Sequence, residues 1–248
     1  MKEAIGLNEK QIELFWKRGY IVIEDALSPE EVEASKKGLT HIVQSYTSNP
    51  EQFEVEEKTD SDGSQSGVVF RQKDGPLFFQ LERGIPYKNA TAEELEAHIR
   101  KYMWFENTTP IFKHIYTEHP RIVTAVRSIL GEDVELYQSM ALVKTAHIGI
   151  DKPWHQDNAY FAVEDLDGVL GTWIALDEAT IENGCMHFLP GGHHRGPLRH
   201  YHTYDCEIVP DRIDPSQAVP VELPAGGMVL FHGNLPHYTP PNRSDKRR

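Results

Sequence analysis

Apolar positions fall on two different periods along this chain. Near the N-terminus, Ile12, Phe15 and Trp16 recur at helical spacing behind Asn8, and Gly19 is placed to end the helix. Tyr20-Ile21-Val22-Ile23 then reads as a short buried strand. Ser28-Pro29-Glu30-Glu31 predicts a strong helix start, with a serine cap, proline at the first helical position and Glu31 placed for a capping box. That helix should run to about Tyr46, with Val32, Leu39, Ile42 and Val43 inward. Residues 47–68 are rich in Ser, Asp, Glu and Gly and read as an exposed, mobile loop. A short apolar strand follows at Val68-Val69-Phe70. Thr91 is expected to cap a helix from Ala92 to about Phe105. Thr109-Pro110 opens another toward Tyr116, and a third runs from about Pro120 to Leu130 and ends at Gly131.

From Val134 the period changes. Short apolar or alternating runs, separated by Gly and Pro, occupy Val134 to Val143, Val169 to Leu176, Met186 to Leu189, Val219 to Leu223 and Met228 to His232. Such spacing predicts a β-sandwich or small barrel. A helical half over about 1–131 and a strand-rich core over about 132–248 suggest one domain, mainly β, with helices buttressing the core.

Composition narrows the function. The chain has 248 residues and a net charge of -13, which argues against non-specific binding to nucleic acid or to anionic membranes. Met1 to Tyr20 mixes Lys and Glu with its apolar residues, so no signal peptide is expected. No apolar run approaches the ~18 residues that would span a bilayer. A cytoplasmic, reducing setting is the expectation, with Cys185 and Cys206 as structural thiols.

The chemistry concentrates between Pro153 and Phe161, where His155 and Asp157 stand two residues apart. In an extended segment, residues two apart share a face, so an imidazole nitrogen and a carboxylate oxygen can aim at one point. One further histidine would complete a set of two histidines and one carboxylate, which suits Fe(II) with open coordination positions. A His-x-Asp triplet alone is weak evidence in a chain with 13 histidines.

Further features accompany the triplet. Trp173 lies on a strand that leads through Glu182-Asn183-Gly184 into a second strand and a Pro190-Gly191-Gly192-His193 loop. Phe231-His232 is followed by His237 and by Asn242-Arg243-Ser244. Together with the Gly-Tyr-Ile-Val-Ile strand and the Ser-Pro-Glu-Glu helix start, these resemble the phytanoyl-CoA dioxygenase family, and within it the phytanoyl-CoA dioxygenase domain-containing proteins. Gln138-Ser139-Met140, Lys144 and Cys185 add to that likeness.

The resemblance implies a double-stranded β-helix, a jelly-roll or cupin-like core, that uses Fe(II), 2-oxoglutarate and O2. His155, Asp157 and His237 match the metal ligands. Arg248, eleven residues after His237, matches an arginine that pairs with the distal carboxylate of 2-oxoglutarate, a task that suits a guanidinium fork. Trp173, Met140 and Lys101 match residues beside the co-substrate, with Arg100 an alternative to Lys101, and Thr239 is placed to add a hydroxyl donor. Gln138, Tyr160 and Phe161 are candidates for the substrate pocket. The implied reaction is hydroxylation of a C–H bond in a small or medium organic substrate, with 2-oxoglutarate decarboxylated to succinate and CO2. Asp157 favours hydroxylation, since related halogenating enzymes lack that carboxylate.

Rival readings are a non-redox metal enzyme of the cupin type and a metal-binding relative without turnover. His232 competes with His237 as third ligand but reads as a buried, hydrogen-bonded strand residue. His187, His193 and His194 read as loop and surface residues. His200 and His202 lie in an Arg199–Tyr204 loop that either borders the substrate mouth or is simply solvated. Trp173 reads equally as core. Gly184 and Gly191 are expected in turns with positive φ. The resemblance also places one more strand after this arginine, so either further residues follow Arg248 or the N-terminal strand covers that edge, and a terminal arginine is expected to fray and bind the co-substrate poorly. A monomer that binds a small molecule fits all of this.

Overall fold

The computed structural model describes residues 6–60, 63–161, 163–202 and 205–248. Ser61 and Asp62 of the expected 47–68 loop, and Thr203 and Tyr204 of the expected Arg199–Tyr204 loop, lie outside the described residues; within the latter stretch His200–His202 is not a loop but a strand paired with Cys206–Ile208. The elements in chain order are α1 (Glu9–Arg18), β1 (Tyr20–Ile23), α2 (Pro29–Ser48), β2 (Phe53–Thr59), β3 (Gln65–Gln72) and β4 (Phe78–Leu81). Next come α3 (Ala92–Glu96), β5 (Ile99–Met103), α4 (Pro110–Lys113), α5 (Pro120–Leu130), β6 (Met140–Leu142), β7 (Lys152–His155) and β8 (Leu170–Ile174). The remaining strands are β9 (Met186–Phe188), β10 (His200–His202), β11 (Cys206–Ile208), β12 (Val219–Val221), β13 (Met228–His232) and β14 (His237–Thr239).

Two antiparallel sheets form the double-stranded β-helix core. One runs β1-β13-β8 and the other β12-β9-β14-β7. Their inner faces meet through Tyr20, Ala175, Val229 and Phe231 from the first sheet and Met186, Phe188 and Val221 from the second. Phe188 stacks on Tyr20 at 4.9 Å and lies 5.4 Å from Phe231, aromatic packing that adds to area burial. The outer face of the first sheet, with Ile21, Met228 and Leu230, is covered by Phe15, Val32, Ile115 and Ile122 from the helical layer. A strand buried on both faces explains why Met228-Val229-Leu230-Phe231-His232 is buried at every position.

The helix starts follow the sequence. Asn8 and Gln11 form a reciprocal capping box, as do Ser28 and Glu31. Gly19 ends α1 at φ 84°.

Several expectations are corrected. The polar stretch 47–68 is largely an antiparallel hairpin of β2 and β3, which begins the five-stranded sheet β2-β3-β4-β5-β6. Only Phe53 of β2 is buried. Glu54, Glu56, Glu57 and Lys58 belong to a solvated edge strand, where charge discourages edge-to-edge pairing, so the polarity that suggested a loop suits an edge equally. The helix predicted from Ala92 to about Phe105 stops at Glu96, and Ile99–Met103 pairs with β4 and β6 instead. There, burial of Ile99, Tyr102 and Met103 against neighbouring strands outweighs local helix propensity. The Val134–Val143 run forms a strand only at Met140–Leu142. The N-terminal half is therefore not chiefly helical, because β1 to β5 all come from it.

Gly184 adopts φ 87°, and a Cβ there would run into the Pro240 carbonyl. Gly184→Ala is expected to destabilise the fold by about 2–4 kcal/mol, from left-handed backbone cost plus overpacking. Urea denaturation measures this, and an unchanged midpoint would contradict it.

Candidate metal centre

Strand pairing brings two histidines to one spot. β7 runs antiparallel to β14 with His155 directly opposite His237, and β14 pairs on its other side with β9 through Phe188. The two imidazole centroids lie 4.0 Å apart. Gln156 is extended at φ -118°, ψ 135°, so Asp157, which opens a short 3-10 turn, returns to the face of His155. Asp157 Oδ1 stands 3.5 Å from Nε2 of each histidine.

The tautomers are set by the backbone. His155 Nδ1 lies 2.7 Å from the Pro153 carbonyl and His237 Nδ1 lies 2.9 Å from the Leu235 carbonyl. A carbonyl only accepts, so each Nδ1–H donates and each Nε2 keeps its lone pair directed at the shared point. Metal-binding histidines are commonly held this way. Burial pushes the His237 imidazole down to about 3, with the neighbouring His155 adding to the effect. For Asp157, burial alone would raise the carboxyl, but His237, His155 and Lys152 hold it below its usual range. A neutral His237 and an ionised Asp157 are protonation states that suit a divalent cation.

The same i to i−2 contact occurs at His187 with Cys185 and at His200 with Leu198. Neither ring joins the cluster, so convergence on a carboxylate marks the site rather than the contact itself. His200 Nε2 instead accepts the Gln156 N–H at 3.2 Å. His232 is buried as expected: its Nε2 faces Asp167 at 3.0 Å and its Nδ1 accepts the Asn234 N–H. His193 corrects the surface reading, because it is buried with Nε2 3.0 Å from the Trp16 carbonyl.

Gln156 is a support that the sequence did not reveal. Buried between the two candidate ligands, its amide donates to the Gly196 and Asn234 carbonyls and accepts the Leu198 N–H at 2.7 Å. Asn158 adds a bond to Asn234 Oδ1 at 2.9 Å, and its N–H donates to Gly233. The turn after β7 is thus tied to the turn before β14. No local pattern announces partners so far away in sequence.

Arg248 corrects the expectation of fraying. Its backbone exchanges hydrogen bonds with Lys144, at 2.6 and 3.0 Å, and the residue is 7% exposed. Asn242 holds the preceding loop by donating to the Lys144 and Lys246 carbonyls and accepting from Ser244. The guanidinium lies 5.3 Å over the Trp173 ring. Its Nε and Nη1, and Thr239 Oγ1, are buried without a hydrogen-bond partner among the described residues. Unpaired buried donors are costly, and a bound carboxylate would satisfy them. The residues present therefore fit a divalent cation at His155, Asp157 and His237, and the unpaired donors of Arg248 and Thr239 fit a carboxylate.

Two cavities flank β6. The larger, about 130 Å³, is lined by Arg248, Trp173, Thr172, Met140 and helical residues such as Phe112 and Tyr116. The smaller, about 60 Å³, is lined by Lys101, Lys152, Lys144, Asp205, Thr239 and again Met140. Lys101 and Arg248 therefore serve different cavities, with Met140 between them. Lys101 has no ion pair among the described residues, and burial plus the Arg100 charge push it down to about 8. Arg100 is the weaker alternative, since it faces the buried Glu82 carboxylate at 3.7 Å. Tyr160 sets its ring edge-on to His155 at 5.9 Å, while its hydroxyl joins Lys152 at 2.6 Å and Asp205 at 2.8 Å. Phe161 packs on the exposed Tyr137 at 4.8 Å. Gln138 is half-buried and lines neither of these cavities. Cys185 and Cys206 are buried free thiols.

A sequence model of the family described as "Phytanoyl-CoA dioxygenase (PhyH)" matches residues 15–248. Among curated proteins, a mouse (Mus musculus) protein named "Phytanoyl-CoA dioxygenase domain-containing protein 1" is 30% identical, over 98% of this chain and 87% of the relative. Among solved structures, the EvdO2 protein of Micromonospora carbonacea var. aurantiaca, complexed with 2-oxoglutarate, is 25% identical with a TM-score of 0.60, covering 98% of this chain and 87% of that one. SnoK, a non-heme alpha ketoglutarate dependent carbocyclase from nogalamycin biosynthesis, shares the fold at TM-score 0.69 and 20% identity, over 98% of this chain and 81% of that one.

Gln156→Leu is expected to lower stability by about 2 kcal/mol or more, because it leaves buried backbone groups unpaired. Urea midpoints would show it, and an unchanged value would remove the amide's supporting role. A second expectation concerns Lys144, whose amine burial and the Arg248 charge push down from 10.5 to about 7. Between those values the unfolded chain binds more protons, so this group makes stability rise with pH across that window. Lys144→Met should flatten the rise between about pH 7 and 10. An unaltered slope in pH-dependent urea titrations would contradict this.

Proposed function

The chain belongs to the phytanoyl-CoA dioxygenase family, and from that membership we propose an Fe(II)- and 2-oxoglutarate-dependent dioxygenase that hydroxylates a C–H bond of a small or medium organic substrate. In that reaction 2-oxoglutarate is decarboxylated to succinate and CO2, and O2 supplies the new hydroxyl oxygen. One observation carries the reading. The Nε2 atoms of two histidines and an ionised carboxylate converge on one point, and beside this the buried donors of Arg248 and Thr239 have no hydrogen-bond partner among the described residues. A non-redox metal enzyme would use the first feature and leave the second without a purpose.

The family suggests the roles, and the geometry supports several of them. His155, Asp157 and His237 would hold Fe(II), which supplies redox chemistry and open positions for co-substrate and oxygen. Arg248 presents a fork for the distal carboxylate of 2-oxoglutarate, stacked on Trp173. Thr239 stands two residues past His237 and adds its hydroxyl; Met140, which lines both cavities, forms part of the co-substrate wall, and Lys101 approaches from the smaller cavity on its other side. Tyr160 and Phe161 border the substrate side, with Gln138 farther out. The Lys152–Tyr160–Asp205 cluster ties β7 to the segment just before β11. Residues 1–248 act as one catalytic domain, because the helical layer covers the outer face of a core sheet.

No helix among the described residues is long and apolar enough to cross a membrane. A cytoplasmic monomer acting on a small molecule rather than nucleic acid is consistent with the charge of -13.

The test is succinate release from 2-oxoglutarate with Fe(II) and O2, screened across candidate substrates. His155→Ala, Asp157→Ala and His237→Ala should each abolish it. Arg248→Lys keeps the charge but loses the fork, and should raise the KM for 2-oxoglutarate about 10–100-fold, the equivalent of one charge-assisted hydrogen bond. Substrate turnover with Zn2+ and no 2-oxoglutarate consumed would overturn the proposal.

A further inference from the structure

A second group of metal-type ligands lies in the helical layer. α4 runs on into a π turn over His114–Glu118, closed by the His119 N–H donating to the His114 carbonyl at 2.7 Å. Pro120 opens α5 and disfavours helical backbone at the preceding residue, so His119 is extended at φ -63°, ψ 113°. The wider turn brings residues five apart onto one face. The imidazoles of His114 and His119 consequently lie 5.5 Å apart.

Glu31, on the first turn of α2, faces both rings. Its Oε1 is 3.2 Å from His119 Nε2 and 3.9 Å from His114 Nε2. Its other oxygen accepts the Ser28 N–H at 2.8 Å, so the capping box orients the carboxylate and leaves Oε1 turned to the histidines. His114 Nδ1 stands 3.8 Å from the Glu118 carboxylate, so its Nε2 is the nitrogen turned toward Glu31. His119 Nδ1 takes only a long contact, 3.4 Å, from the Ile122 N–H, so the ring can release it at little cost. One ligand atom from each of the three residues lies within 4.8 Å of the others. The side chains are 9%, 26% and 41% exposed for His119, Glu31 and His114, which leaves one side open for an ion and its water.

We propose that Glu31, His114 and His119 form a second metal site for Zn2+ or a similar borderline divalent cation. Two imidazoles and one carboxylate are a donor set that Zn2+ accepts, with water in the remaining position. The ion pins the start of α2 to the junction between α4 and α5. Its rival is a proton, which would pair Glu31 with one imidazole at a time and would not employ both rings. The site is independent of His155, Asp157 and His237.

The full chain, stripped of metal and dialysed against Zn2+, should bind two equivalents. Glu31→Gln and His114→Ala should each bind one, as should His237→Ala. Glutamine still serves a capping box and His114 is partly exposed, so neither loss would be attributable to unfolding. In the His237→Ala background, Zn2+ should raise the melting temperature, and adding Glu31→Gln should remove that rise. One equivalent in the wild-type chain that disappears in His237→Ala would overturn the proposal. So would two equivalents that persist in both Glu31→Gln and His114→Ala.

Discussion

The hydrogen bonds from His155 Nδ1 and His237 Nδ1 to carbonyls two residues upstream decide what the centre can be. Each fixes a tautomer and a ring orientation with main-chain atoms of the strand or turn that carries the histidine. The antiparallel register sets the two rings opposite one another. With both Nδ1–H groups committed, two lone pairs have nowhere to point but at Asp157. The core strands exist for packing reasons, and this chemistry follows from their pairing. Phe188, opposite His237 on the other side of β14, links the centre directly to the aromatic core.

Close backbone approach supports the same arrangement. A Cβ at Gly233 would collide with the Asn158 side chain, and one at Gly171 with the Phe231 ring. Gly233 therefore permits the turn before β14 to lie against the turn after β7, where Gln156 and Asn158 join them. Arg248 is held by a related economy of parts. Asn242 shapes the loop, Lys144 pairs with the arginine backbone, and the guanidinium comes to rest over Trp173 with donors unspent. Lys144 occupies this site at an electrostatic cost, since it is buried close to a second cation.

Much of the core and of the centre could be read in the residues. Capping boxes at Asn8 and Ser28, the turn at Gly184 and the His155–Asp157 spacing are local signals with local physical causes. His237 could not be chosen over His232 by period or composition, since both histidines are buried on or beside neighbouring strands. Only the family resemblance separated them. Residues 53–67 and 99–103 differ from expectation because strand pairing with distant partners overrides what their polarity and helix propensity suggest, while the strand expected at Val68–Phe70 lies within β3. Gln156 escaped notice for the same reason, its partners lying about 40 or more residues downstream. The Glu31, His114 and His119 group was hidden by a π turn that no spacing rule anticipates.

The most direct test is an anaerobic titration with Fe(II) and 2-oxoglutarate, followed in the visible range for the weak metal-to-ligand charge-transfer band of a chelated 2-oxo acid. The account predicts a band in the wild-type chain that requires both additions and is absent from His237→Ala. Iron bound tightly at His155, Asp157 and His237 with no band at saturating 2-oxoglutarate would contradict it.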